Sequence, residues 1–256
     1  MDILGKTVTI TGGAGGIGIA LAKRFKAEGA AGVIIADLDA AGPAEIAAEI
    51  GVTGIACDVT SETSIKQLIA GAEAAHGDID IFCSNAGVFH LGDENAPDDQ
   101  WQLNWDVHVM AHIYAARDLA PKMAARGGGY LVNTSSAAGV LTHIDSATYS
   151  VTKHAAVAFA EWLSITYGDR GVKISVLCPQ AVRTAMIAGR EGETASIDGI
   201  MEPETLADAM IASMAREEFY ILPHKEVREY MRRRAFDPER WLGGMRRLRV
   251  KIAHKE

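Results

Sequence analysis

A chain of 256 residues can bury roughly three quarters of the surface its unfolded form exposes, which excludes a fold that needs disulfides or metal to hold together. A net charge of −8 and a pI near 5.5 argue against a surface built for nucleic acid. Three well-separated cysteines without CxxC or Cys/His spacing exclude a disulfide framework and a zinc site, and no 18-residue apolar stretch exists to cross a membrane.

In chain order, short β-branched or apolar runs alternate with segments of helical period. The strand candidates are "KTVTIT", "GVIIAD", "GIACD", "IDIFCSN", "GYLVNTSS", "VKISVLCP" and "EFYILP". Helical candidates fall near 16–28, 40–50, 61–76, 98–125, 148–169 and 203–216. Near-continuous apolar strands are buried on both faces, so this order predicts a doubly wound parallel sheet in a three-layer α/β/α domain. Glycine and proline fall at the junctions, and there is no repeat or linker. One domain is expected over 1–223, with a helical extension over 224–256. The N-terminus runs straight into a β-branched segment without a basic leader, and the cysteines read as buried thiols, so a cytoplasmic location is expected.

After the first strand stands "TGGAGGIG", Thr11 to Gly18, which fits two glycine registers: 13/15/18 or 12/16/18. Asp37 ends the second strand 19 residues past Gly18. Strand, glycine turn, helix and acidic residue together predict a dinucleotide site, with glycines approaching a pyrophosphate at a helix N-terminus. A carboxylate can accept from both ribose hydroxyls and repels a 2′-phosphate, and no cation follows Asp37 directly, so NAD is expected over NADP. Asp58 and "SNAG" (Ser84 to Gly87) end the third and fourth strands, where such folds bind ligands.

In "SATYSVTKHAAVAFAEW", Tyr149 and Lys153 stand at i and i+4, which stacks them on one helical face with Cβ atoms about 6 Å apart. An ammonium at ~4 Å and an effective dielectric of about 20 would stabilise a phenolate by about 4 kcal/mol, moving the tyrosine from about 10 to near 7. Ser136 lies 13 residues upstream of Tyr149, at the end of the fifth strand. The irregular segment from Thr184 to Pro203 is a lid candidate.

Together these residues resemble the short-chain dehydrogenase/reductase family. Thr11, Gly12, Gly16 and Gly18 match its TGxxxGxG pattern, "SNAG" is similar to its NNAG, and Ser136 with Tyr149 and Lys153 is similar to its catalytic serine and YxxxK. The resemblance implies hydride transfer between a nicotinamide and a carbinol carbon. Tyr149 would be the acid/base, Ser136 would hold the substrate oxygen, and Lys153 would tune the phenol and hold the nicotinamide ribose. It places the cofactor on Gly12, Gly16, Ile17, Gly18, Asp37, Leu38, Asp58, Val59, Asn85, Ala86, Gly87, Pro179, Val182 and Thr184, together with Tyr149 and Lys153. It implies a homodimer or homotetramer joined through the long helices; no metal is expected, and the acidic charge and lack of an apolar span lead us to expect no nucleic acid or membrane partner.

Three departures stand out. His108 occupies the position of the family's catalytic asparagine, where imidazole could shuttle protons or simply pack in a kinked helix. Gln180 replaces a glycine after Pro179. The C-terminus is not Gly-rich but basic, with 11 Lys+Arg against 5 Asp+Glu from His224 onward, and reads as amphipathic helices docked on the acidic body or on a neighbouring subunit, with a site for an anionic membrane or polyanion as the alternative. Expected around the substrate are Val88, Phe89, His90, Val140, Leu141, His143, Thr148, Gln180, Met186 and Ile187, a mainly apolar set that predicts a medium or large secondary alcohol or ketone. A carboxylate substrate would call for an arginine, and only Arg183 and Arg190 are near in sequence. Other reactions on this scaffold stay open: epimerisation or dehydration with recycled NAD, or nucleotide binding without turnover.

Overall fold

The computed structural model describes residues 1–38, 41–189 and 194–253. Seven parallel strands form one sheet in the order β3-β2-β1-β4-β5-β6-β7. They are β1 (Thr7–Thr11), β2 (Gly32–Asp37), β3 (Thr53–Ala56), β4 (Ile81–Ser84), β5 (Gly129–Thr134), β6 (Val172–Leu177) and β7 (Tyr220–Ile221). Every residue of β1, β4 and β5 is buried, as the continuous apolar runs predict.

Helices cover both faces. On one side lie α1 (Gly16–Ala27), α2 (Ala41–Ile50) and α8 (Pro203–Ala215), whose Leu21, Phe25, Met210 and Met214 share one buried cluster with Val8 and Ile10 of β1 and Val33 and Ile35 of β2. On the other, α3 (Glu62–His76), α5 (Ala111–Ala125) and α7 (Ala147–Tyr167) pack Leu68, Leu119, Met123 and Leu163 against the sheet. The strand order reverses between β1 and β4, and the C-terminal ends of these two strands open the crevice typical of a doubly wound sheet. No described helix is long and apolar enough to cross a membrane, and all three cysteines are buried and unpaired.

The helix expected over 98–125 is not continuous. It divides into α4 (Asp98–Trp105), a π-helical turn (Asp106–Met110) and α5. A π turn inserts one residue into the helical ladder, a local change that leaves composition and approximate period intact. A short α6 (Ala138–Leu141) follows β5.

The C-terminal extension forms α9 (Glu226–Phe236) and α10 (Pro238–Ala253). Asp237 accepts the N–H of Arg240 at 3.0 Å, and Pro238 opens α10, a pairing that suits a helix start. The extension docks on its own chain: Val227 is fully buried, Tyr230, Met231 and Trp241 join the core, and Arg234 donates to the Val140 carbonyl on α6.

Candidate active site

The crevice encloses about 670 Å³ along the C-terminal edge of the sheet. Hydrogen bonds between strand ends hold it in shape. The Thr11 hydroxyl accepts the N–H groups of Asn85 (3.0 Å) and Ala86 (3.2 Å) and donates to the Cys83 carbonyl. The Asn85 amide donates to the carbonyls of Thr11 and Gly12, and its Oδ1 accepts from Thr134 on β5. One asparagine thus joins the ends of β1, β4 and β5.

The glycine turn fits the 12/16/18 register, with Gly13 also closed to a side chain, its Cβ position lying 2.5 Å from Ile35 Cβ. Gly12 has φ +63°, and a Cβ there would lie 2.7 Å from the Cα of Ala86. A Cβ at Gly16 would lie 2.9 Å from Thr184 Cγ2, and one at Gly18 would overlap the Gly12 carbonyl, whereas one at Gly15 meets nothing closer than 3.4 Å. The cradle is therefore closed to side chains and lies bare at the N-terminus of α1, which fits a dinucleotide pyrophosphate. Asp37 ties this loop down: Oδ2 accepts from Ala14 N–H and Oδ1 from Leu38 N–H, both carboxylate oxygens keeping further lone pairs. Asp58 uses Oδ1 to hold the Thr60 N–H and hydroxyl. Ile17, Asp37, Leu38, Asp58 and Val59 all line this end of the crevice.

At the other end stand Ser136, Tyr149 and Lys153. Ser146 caps α7, accepting the Tyr149 N–H while donating to the His90 carbonyl, and so fixes Tyr149 on the first turn. Lys153, only 2% exposed, donates to the Thr134 carbonyl at 3.0 Å and lies 5.5 Å from the Tyr149 ring centroid. Tyr149 sits in an aromatic box, 4.9 Å from Phe89, 5.4 Å from His108 and 6.5 Å from His143 between ring centroids.

The expected fall of the phenol pKa is not what the protein itself produces. Tyr149 is half-buried and lines the crevice. Burial pushes it up to about 12, a hydrogen bond to Ser136 pulling the other way, and burial brings Lys153 down to about 7. The spacing argument fixed the distance and assumed a fully charged, solvated ammonium; desolvation weakens the charge that was to do the work.

His108 also departs from the proton-shuttling role. It lies in the π turn, fully buried, and does not line the crevice. Its Nε2 accepts the Val88 N–H at 3.1 Å, while Nδ1 lies 2.9 Å from the Thr152 hydroxyl, which donates onward to the Thr148 carbonyl. That chain places the proton on Nδ1 and occupies both nitrogens. Burial, then the Lys153 charge, holds the ring neutral well below the usual histidine range. The geometry makes it a clamp between the loop after β4 and α7.

The segment after β6 closes the second bank. Val182 bridges Met201, Arg183 N–H donates to the Met201 carbonyl, and short 3₁₀ turns occupy Ala185–Ile187 and Thr194–Ser196. Pro179, Val182, Thr184 and Met186 line the crevice, as do Val88, Gly87, Gln180 and His143. Of the other expected pocket residues, Phe89 and Ile187 line it too, but His90 is bonded to Asn104, Val140 and Thr148 are buried, and Leu141 faces a second chamber. Arg183 is paired with Glu202 at 2.7 Å, and Arg190 falls outside the described residues.

That second chamber, about 740 Å³, was not foreseen. It lies between α6, the Thr194–Ser196 turn and the helices α9 and α10, and it shares Ser136, His143 and Gln180 with the crevice. Tyr230, Arg233, Trp241, Met245 and Leu248 line it. Their helical spacing was visible in the sequence, but not what the helices would face.

A glycine cradle, an acidic strand end and a Ser/Tyr/Lys cluster on one doubly wound sheet define a nicotinamide-type oxidoreductase site. The chain belongs to the short-chain dehydrogenase family, whose sequence profile matches residues 6–194. It is 32% identical over 246 residues to 1-deoxy-11-beta-hydroxypentalenate dehydrogenase of Streptomyces exfoliatus, covering 91% of this chain and 88% of the relative. It is 27% identical to human epidermal retinol dehydrogenase 2, covering 93% and 80%. The crystal structure of a short-chain dehydrogenase/reductase from Burkholderia phymatum in complex with NAD superposes with a TM-score of 0.85 at 26% identity, covering 93% of this chain and 96% of that one.

Two outcomes follow from this geometry. His108→Leu leaves the Val88 N–H without its acceptor and should cost about 1–3 kcal/mol in urea unfolding. For Lys153, the folded-state pKa lies below the unfolded value of 10.5, so between these limits the unfolded chain binds a proton that the folded chain does not. Stability of the cofactor-free protein should therefore rise from about pH 7 toward about pH 10, and Lys153→Met should flatten that rise in thermal melts.

Proposed function

We propose that the protein is an NAD-dependent dehydrogenase that exchanges a hydride between the nicotinamide and a secondary alcohol or its ketone. The observation that carries this reading is the convergence of Ser136, Tyr149 and Lys153 at the end of a crevice whose opposite end is a bare glycine cradle. The nicotinamide supplies the hydride chemistry when bound. The Ser136 hydroxyl would orient the substrate oxygen, and Tyr149 would take the alcohol proton in oxidation or return it in reduction. Lys153, held by the Thr134 carbonyl, would hold ribose hydroxyls and, when protonated, stabilise the phenolate. Gly87 and Val88, set by the His108 clamp, would define one wall.

Asp37 supports NAD over NADP: it lines the crevice, and Lys153 at the far end is the lone Lys or Arg among the described lining residues. Apolar Val88, Phe89, Met186 and Ile187 favour an apolar substrate, in keeping with relatives named for a hydroxypentalenate and a retinol. Val151, Trp162 and Ile165, exposed on one side of α7, support a homo-oligomer joined through the long helices. The buried free thiols support a cytoplasmic location.

A panel of secondary alcohols with NAD should generate NADH absorbance, and Tyr149→Phe should lower kcat by about 10²-fold or more while leaving NAD affinity in place. NADH retained by the protein without net turnover on any alcohol or ketone would instead favour an epimerase or dehydratase. Catalytic efficiency with NADP should be at least about tenfold below that with NAD, and Asp37→Ser should narrow the gap by removing the carboxylate that repels a 2′-phosphate. Equal efficiencies in the wild type would overturn the assignment of NAD.

A further inference from the structure

The extension from His224 carries a local excess of positive charge on a chain of net −8. Helices α9 and α10 bring part of it to the second chamber, which meets the crevice beside Ser136, His143 and Gln180. The chamber walls are largely apolar, with Leu141, Trp241, Met245 and Leu248 lining the interior. Two further lining residues stay uncovered by the chain's own folding: Phe236 is 90% exposed and Ile197 55%. At the join, Gln180 donates to Asp198 through Nε2 at 2.8 Å, while its buried Oε1 has no donor.

The charges at the rim are unevenly satisfied. Arg233 is paired with Glu229, and Asp237 is engaged as the cap of α10. Arg240 and Arg247 also line the chamber and make no ion pair with any described residue. Gly243 and Gly244 stand in mid-helix, where glycine weakens a helix relative to alanine. A Cβ at Gly243 would lie 3.5 Å from one Arg247 guanidinium nitrogen, and one at Gly244 3.9 Å from the other. The bare helix surface thus gives the Arg247 head a place at the edge of the chamber. Two unpaired forks beside an uncovered apolar wall match a carboxylate on a hydrophobic scaffold.

We propose that the chamber holds the body of the substrate, and that this substrate is a large apolar alcohol or ketone bearing a carboxylate remote from the reacting carbon, bound by Arg240 and Arg247. The proposal rests on the dehydrogenase reading and specifies its substrate. Because both arginines are exposed, each contact is modest and screened by salt, and the pair is worth about tenfold in affinity.

The test uses the full-length protein saturated with NAD, titrated with decanoate and with 1-decanol, and reads calorimetric affinity and Trp241 emission, assigned with Trp241→Phe. Decanoate should bind about tenfold more tightly than 1-decanol, and the advantage should shrink in 0.5 M salt. It should disappear in Arg240→Gln/Arg247→Gln, whose folding is checked by circular dichroism. Gly244→Phe, which raises helix propensity while filling the chamber, should weaken both probes at least about tenfold. Equal affinities in the wild type, an advantage that survives loss of both arginines, or binding untouched by Gly244→Phe would overturn the proposal. So would a change of subunit number in Gly244→Phe by sedimentation, which would assign this face to a second copy of the chain. Wild-type turnover of small secondary alcohols is measured separately: its absence while decanoate binding behaves as described would remove the dehydrogenase reading and leave the anion-binding chamber standing.

Discussion

A lysine ammonium withdrawn from water is the constraint on which the site depends. Among the described residues Lys153 Nζ donates to one acceptor, the Thr134 carbonyl, and the residue has almost no exposure. Its neighbour Tyr149 is a half-buried phenol at the crevice wall whose ionisation burial opposes. Burial penalises the charged form of each, so one resists protonation and the other resists deprotonation. The two penalties share a remedy, because a phenolate and an ammonium 5.5 Å apart, ring centre to nitrogen, relieve each other when both are present. The pair is thus a coupled unit, whose titration belongs to both groups and to any charge brought into the crevice.

The rest of the architecture holds that unit at the edge of the sheet. Thr11, Asn85 and Thr134 lie on three adjacent strand ends and bond to one another, so the floor of the crevice is rigid in all three. Thr134 contributes twice, its hydroxyl to Asn85 and its carbonyl to Lys153, which links the nucleotide end of the sheet to the chemical end. From the other side, the Ser146 cap and the His108 clamp fix the start of α7 against the loop after β4. The chemistry is built at element termini, where backbone groups lack partners within the element and side chains take their place.

Much of this was legible in the sequence because it rests on local periodicity. Unbroken apolar runs identified the parallel strands, and a four-residue spacing placed Tyr149 and Lys153 together. The glycine register became decidable only through close approaches to Ala86 and Thr184, residues 74 and 168 positions from their partners Gly12 and Gly16. The state of His108 was hidden for the same reason, since its two partners are Val88 and Thr152 on other elements. Spacing likewise gives distance but not solvent, which is why the direction of the Tyr149 shift could not be read from an i, i+4 pair. The C-terminal helices were visible as helices; that they wall a chamber depends on the angle at Asp237 and Pro238, and no pattern of residue types encodes what a helix face will meet.

The chain order places α9 and α10 after β7, the strand at one border of the sheet, and among the described residues none of the glycine cradle or the Ser/Tyr/Lys cluster lies on them. The nucleotide cradle and the Ser/Tyr/Lys cluster are complete before this terminal piece begins. Provided the inward positions at Val227, Tyr230, Met231 and Trp241 keep their packing, the outward and chamber-facing positions of these two helices can vary, changing the shape and charge of what enters without re-solving the hydride end of the molecule.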